Sequence, residues 1–211
     1  LAYDLDATGF ATLSALAMYA YSMMQIPAGI VADLYGARRC ILISILICSI
    51  GTLLFCSTSI LWVAQASRIL IGMGSAGAFL CVSKISVNWF GTRMQAQMFG
   101  LTMMAGTIGA LNGGAPLAYA LNFFTWQETL FMLGCIGFVI WGLNYVILQD
   151  APQEEKKVTK LTVRSVVQES LTSLKALFAQ PQCWLSAIAA MGVYSCICVL
   201  ADLWGVSFLM Q

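Results

Sequence analysis

Histidine is absent from the 211 residues. That removes together the commonest general base and the commonest metal ligand. Charge is scarce too: Asp, Glu, Lys and Arg make up 9% of the chain, against about 25% in an ordinary soluble domain. So little polar surface cannot cover a water-facing globule, which leaves an integral membrane protein. The formal net charge is +1, so nothing in the charge balance invites nucleic acid. The eight cysteines, Cys40, Cys48, Cys56, Cys81, Cys135, Cys183, Cys196 and Cys198, include no C-x-x-C pair. Most lie in apolar runs and read as buried thiols in helices, not as disulfides or metal ligands. No metal site and no cofactor is expected.

What fills the space is apolar: 60% of the residues are hydrophobic. A helix that crosses a bilayer needs about 20 predominantly apolar residues. Six stretches meet that need: 8–31, 40–57, 60–87, 98–121, 129–148 and 182–208. The third contains Arg68 and Lys84, but the run 69–83 between them is uncharged and too apolar for a loop. The fold class expected is therefore an all-α membrane bundle with about six transmembrane helices. The chain starts with Leu and stops inside an apolar run, and it reads as a fragment of a longer protein.

Basic residues set the orientation. Arg38 and Arg39 follow the first span, Arg93 follows the third, and Lys156, Lys157, Lys160, Arg164 and Lys175 follow the fifth. These are alternate connections and share one side. The remaining connections hold Asp4, Asp6 and Glu128 and no Lys or Arg. The positive-inside rule places 32–39, 88–97 and 149–181 in the cytoplasm. The last of these is the one polar stretch. In it Val163, Val166, Val167, Leu171, Leu174, Leu177 and Phe178 recur at helical spacing, opposite Arg164, Gln168, Glu169 and Lys175. That pattern predicts an amphipathic helix on the inner membrane surface or against the bundle.

The stretch 29–39, Gly-Ile-Val-Ala-Asp-Leu-Tyr-Gly-Ala-Arg-Arg, joins two apolar segments by a tight turn. Its Gly29, Asp33, Gly36 and Arg38, with Arg39 adjacent, resemble the signature loop of the major facilitator superfamily of secondary transporters. Leu34 and Ala37 depart from that pattern, where the family often has basic residues. The resemblance implies that Asp33 and the arginines form a cytoplasmic gate. The alternative is that Asp33 caps a helix and the arginines set topology. Arg68, followed by Gly72, Gly74 and Gly77, resembles the family's fourth helix. An arginine inside a bilayer is costly and needs water, an acid or a carbonyl. The resemblance assigns it to substrate binding or proton coupling; a tether to a neighbouring helix is the other reading. The same glycines spell a dinucleotide fingerprint, but that needs a preceding strand, and close helix packing is the better account. Lys84 either snorkels to the headgroups or lines the substrate path. Trp89-Phe90-Gly91-Thr92-Arg93 looks like a loop of bacterial metabolite transporters in the superfamily.

The next helix carries Gly109, Gly113 and Gly114, with Ala105 and Ala110 where the family's antiporter motif has Gly and Pro. Its small face suits packing, as does Asn112, which is also a candidate to contact solute. The last span carries Tyr194 and Asp202. Asp202 stands about 20 residues in, or about 30 Å, near the outer edge of the bilayer. It is either a protonatable coupling group or a hydrated rim residue.

Taken in family order, 1–148 is an amino-terminal bundle holding helices two to six, 149–181 a linker, and 182–211 the first helix of the second bundle. The function implied is secondary transport of a small organic anion or zwitterion, moved with protons by alternating access. A bacterial inner membrane, lipid contact and a monomeric state go with it. A drug–proton exporter of the same fold is a rival, as is a non-transporting membrane sensor. An intramembrane enzyme is disfavoured, because no His and no paired acids occur in the spans.

Overall fold

The computed structural model describes residues 7–149 and 163–197. Helices α1 (Ala7–Tyr35), α2 (Ala37–Ser57) and α3 (Leu61–Phe90) come first. A 3-10 turn (Thr92–Met94) then leads to α4 (Gln95–Gly113), α5 (Ala115–Ala120) and α6 (Trp126–Ile147). These belong to one compact unit, Leu1–Thr162. Helices α7 (Val163–Ala179) and α8 (Pro181–Ile197) belong to a second, Val163–Gln211.

Among the described residues, four helices are long and apolar enough to cross a membrane: Ala11–Tyr35, Ala37–Ser57, Leu61–Phe90 and Trp126–Ile147. The expected span over 98–121 is divided instead, because the backbone at Gly114 leaves helical geometry at φ −89°, ψ −112°. The expected span over 182–208 is helical as far as Ile197, and the rest lies outside the described residues. The expected loop over 32–39 is almost wholly helix. Its entire reversal falls on buried Gly36, at φ 85° and ψ 153°, a region that side-chain-bearing residues avoid.

Small residues dictate how the first unit packs. Helix α3 lies at its centre and touches α1 on one side and α2 on another. A Cβ on Gly72 would strike the carbonyl oxygen of Ala17 on α1. A Cβ on Gly74 would come within 2.7 Å of the Cys48 nitrogen and the Ser44 oxygen on α2. One on Gly77 would strike the Ser44 hydroxyl. Helix α6 repeats the device against α2, with Gly134 facing Leu53 and Gly137 facing Ser49. In lipid the hydrophobic effect drives helices together weakly, and close backbone approach supplies the dispersion contact that holds them.

Hydroxyls in these helices fold back on their own carbonyls. Ser49 donates to Ile45 O at 2.8 Å, Ser67 to Ala64 O at 2.7 Å and Ser86 to Val82 O at 2.7 Å. Internal pairing of this kind lets polar side chains enter a bilayer. Helix α6 starts with a capping box: Glu128 N donates to Thr125 Oγ1 at 3.3 Å, and Thr125 N donates to Glu128 Oε2 at 2.8 Å. Helix α4 buries no residue among those described; Phe79 and Phe99 join it to α3 edge to face, 4.9 Å between ring centres. In the second unit, Trp184 Nε1 on α8 donates to Phe178 O on α7 at 3.0 Å.

Candidate functional site

Asp33, Arg38, Arg39 and Lys84 gather at the Gly36 end of the bundle. Asp33 occupies the last turn of α1, and Arg38 and Arg39 occupy the first turn of α2. Both placements oppose the helix macrodipole, which favours cations at carboxyl ends and anions at amino ends. The N-cap of α2 is Gly36, with no side-chain cap bond, so Asp33 caps nothing there. Charges set against their own helices need partners elsewhere, and the fold provides them.

Lys84, on α3, supplies one. Its Nζ lies 2.8 Å from Asp33 Oδ1 and donates to Ala32 O at 2.7 Å. A cation thus sits on the carboxyl end of α1 and neutralises its acid. Arg38 mirrors this on α6: Nη2 donates to Tyr145 O at 2.8 Å, and Cζ lies 5.8 Å from the Tyr145 ring centre. The carbonyl belongs to the last turn of α6, which lacks partners within its own helix. Arg39 is exposed. Trp89 Nε1 donates to Gln149 O at 3.2 Å. Beneath that bond runs a cleft of about 380 Å³ between the ends of α3 and α6, lined mainly by Ile85, Phe90, Leu143 and Ile147. Its apolar walls offer a charged solute little.

Arg68 stands at the other end. It lies about 10 Å along α3 from Leu61, and about 24 Å along the helix axis from Lys84. The two basic residues of α3 therefore serve different layers, although the sequence offered both to the substrate path. Arg68 is half-buried, and its Cζ sits 4.3 Å from the ring centre of Phe55 on α2. A cation over an aromatic face gains about 0.5–2 kcal/mol, more as water is withdrawn. Phe55 meets Trp126 of α6 edge to face at 6.2 Å and packs with Leu13 of α1 and Ala64 of α3. One arginine is thereby held where four helices converge.

The remaining candidates make other contacts or lie outside the described residues. Gly29 faces Leu80 on α3, 3.7 Å from where its Cβ would be. Asn112 Nδ2 donates to Ile108 O in its own helix at 2.8 Å. A Cβ at Gly109 or Gly113 would meet no described atom within 4 Å, and one at Gly114 would meet Leu111 O at 3.5 Å. Tyr194 is exposed on α8, and Asp202 lies outside the described residues. Sequence reasoning passed over Phe55, Trp126, Tyr145 and Gln149. The short hairpin at 58–60 was a usable signal for Phe55, since it forces the last turn of α2 beside the first turns of α3. No local signal marks Tyr145, because what it contributes is a backbone carbonyl.

Comparison with known proteins identifies the family. The model of the Major Facilitator Superfamily matches residues 1–211. The chain belongs to that superfamily. Its apolar helices are those of a multi-pass membrane protein, and the relatives it matches are named as transporters. An uncharacterized transporter of Bacillus subtilis, YybO, is 24% identical over 193 residues, covering 86% of this chain and 44% of the relative. The hexuronate transporter of the same organism is 25% identical over 141 residues, 65% of this chain and 32% of the relative. SauU of Cupriavidus necator, named a probable sulfoacetate transporter, is 23% identical over 149 residues, 70% of this chain and 34% of the relative. The chain spans less than half the length of each.

Proposed function

We propose that this chain is part of a secondary transporter for a small organic anion, driven by protons and working by alternating access. The observation that carries the reading is Arg68, a cation set within an apolar bundle and held over Phe55. An arginine at such a depth is expensive unless it meets an anion, a carbonyl or water. Its fork of N–H donors matches a carboxylate or a sulfonate. Two of the relatives are named for hexuronate and sulfoacetate, solutes with such groups. In this reading the Gly36 end faces the cytoplasm of a bacterial cell. Asp33, Lys84 and Arg38 form its gate, and the protein acts as a monomer. Asp202 and Tyr194 belong to the coupling and substrate path. Gly109 and Gly113 on α4, with Gly114 at its cap, leave a small face open for packing.

The test uses the full-length protein in liposomes loaded with a pH-sensitive dye. Addition of D-glucuronate or sulfoacetate is expected to drive protein-dependent proton flux, and Arg68→Ala is expected to abolish it. Flux with neutral or cationic solutes alone, unchanged in Arg68→Ala, overturns the reading.

A further inference from the structure

The proposed function concerns Arg68, and the residue that positions Arg68 is a separate matter. We infer that Phe55 is the positioning residue of this site, its ring holding the Arg68 guanidinium at the meeting point of α1, α2, α3 and α6. This rests on the anion-transport reading for its consequence, but its geometry stands alone.

Cζ of Arg68 is 4.3 Å from the Phe55 ring centre, well inside the distance at which a cation is attracted by a ring face. Phe55 is itself fixed. It is 7% exposed, packed against Leu13 and Ala64, and backed by the edge-on Trp126. A buried ring packed against neighbours on several helices has little room to turn, so it is a firm platform and not a passing contact. An arginine side chain has several rotatable bonds and considerable rotamer entropy to lose when it binds an anion. Holding it on a platform before the anion arrives removes part of that loss. The ring also covers one side of the guanidinium while accepting no hydrogen bond in the plane of its donors.

The experiment replaces Phe55 in the full-length protein with mono-, di- and trifluorophenylalanine. Fluorine drains the ring face of negative potential while leaving size and packing nearly unchanged, so a merely structural role is insensitive to the series. The first readout is the rate at which phenylglyoxal modifies the Arg68 peptide, followed by mass spectrometry with no solute present. Weaker attraction loosens the side chain from the ring and opens it to the reagent. The rate is expected to rise stepwise, by roughly threefold or more at the trifluoro variant. A flat rate across the series overturns the assignment of Phe55, whatever the transport assay gives. The second readout is the KM for D-glucuronate in liposomes, expected to rise in the same order while the maximal rate changes less. A stepwise modification rate with no glucuronate or sulfoacetate transport upholds Phe55 as the positioning residue and removes the anion reading alone. A stepwise modification rate with a KM that stays constant overturns the claim that positioning serves anion binding.

Discussion

At the residue scale, the Gly36 turn and the Asp33–Lys84 pair make separate, measurable demands. Gly36 is buried and holds a backbone conformation that is almost restricted to glycine. Gly36→Ala is expected to destabilise the full-length protein by about 1–3 kcal/mol. A thermal midpoint in detergent equal to that of the wild type would refute the geometry of the turn. The ion pair is a different case. Lys84 and Asp33 approach to 2.8 Å, but their side chains are 26% and 51% exposed. Water and headgroups screen such a pair, so its worth to stability is at most about 1 kcal/mol. A double-mutant cycle of Asp33→Asn and Lys84→Met is expected to return a coupling energy in that range. A much larger value would show that the pair is drier than its exposure indicates. The acid and the turn glycine were both legible, because the spacing from Gly29 to Arg39 is local. Lys84 as the partner of Asp33 was not, since 51 residues separate them and only the packing of α1 on α3 joins them.

At the scale of elements, the glycines of α3 act on two neighbours with unequal tolerance. Gly72 faces a backbone carbonyl, which moves only if α1 moves. Gly77 faces the Ser44 hydroxyl, a side chain that deletion can remove. Gly72→Ala is therefore expected to cost more than Gly77→Ala, on the order of 1–3 kcal/mol for the overpacked site. Ser44→Ala should restore much of the loss in Gly77→Ala and none of that in Gly72→Ala. Thermal unfolding of the single and double variants decides this, and equal costs with no rescue would count against the register of α2 on α3. The start of α6 offers a second check. Thr125→Ala removes the capping box and is expected to cost about 0.5–2 kcal/mol, with Glu128→Gln milder. The small-residue pattern Gly72-x-Gly74-x-x-Gly77 was readable as a packing face, but its division between α1 and α2 was not. Positions 72 and 74 project to different sides of one helix, and the identity of the helix on each side is a tertiary fact.

At the scale of the whole molecule, the four apolar helices and their turns determine which connections share a side. The Gly36 turn and the ends of α3 and α6 lie together, joined by Lys84 to Asp33, Arg38 to Tyr145 and Trp89 to Gln149. The turn at 58–60 and the start of α6 lie at the opposite end, joined by Phe55 and Trp126. Fusions made after residues 39, 93 and 149 of the full-length protein are expected to give fluorescent cytoplasmic reporter and inactive periplasmic phosphatase. Fusions at 59 and 123 should give the reverse. A mixed pattern, with 39 and 93 on opposite sides, would contradict both the bundle and the charge bias.

The sequence by itself determined a membrane protein of helices, its family, and the end of the bundle where charge collects. These depend on composition, on runs of apolar residues and on local spacing, which need no knowledge of what lies across the bundle. Tertiary structure alone decided that Lys84 serves Asp33, that Arg38 reaches the last turn of α6, and that Arg68 rests on Phe55. Each of these joins helices through a cation; the partners are 51 residues apart for Lys84 and Asp33 and 107 for Arg38 and Tyr145, whereas Arg68 and Phe55 face each other across the hairpin at 58–60. Two of the three use a backbone carbonyl or a ring face, groups that every helix or many residues possess. Such groups acquire a role only when folding brings a cation to them, so residue types alone do not single them out, and only the short hairpin at 58–60 gave a signal, for Phe55.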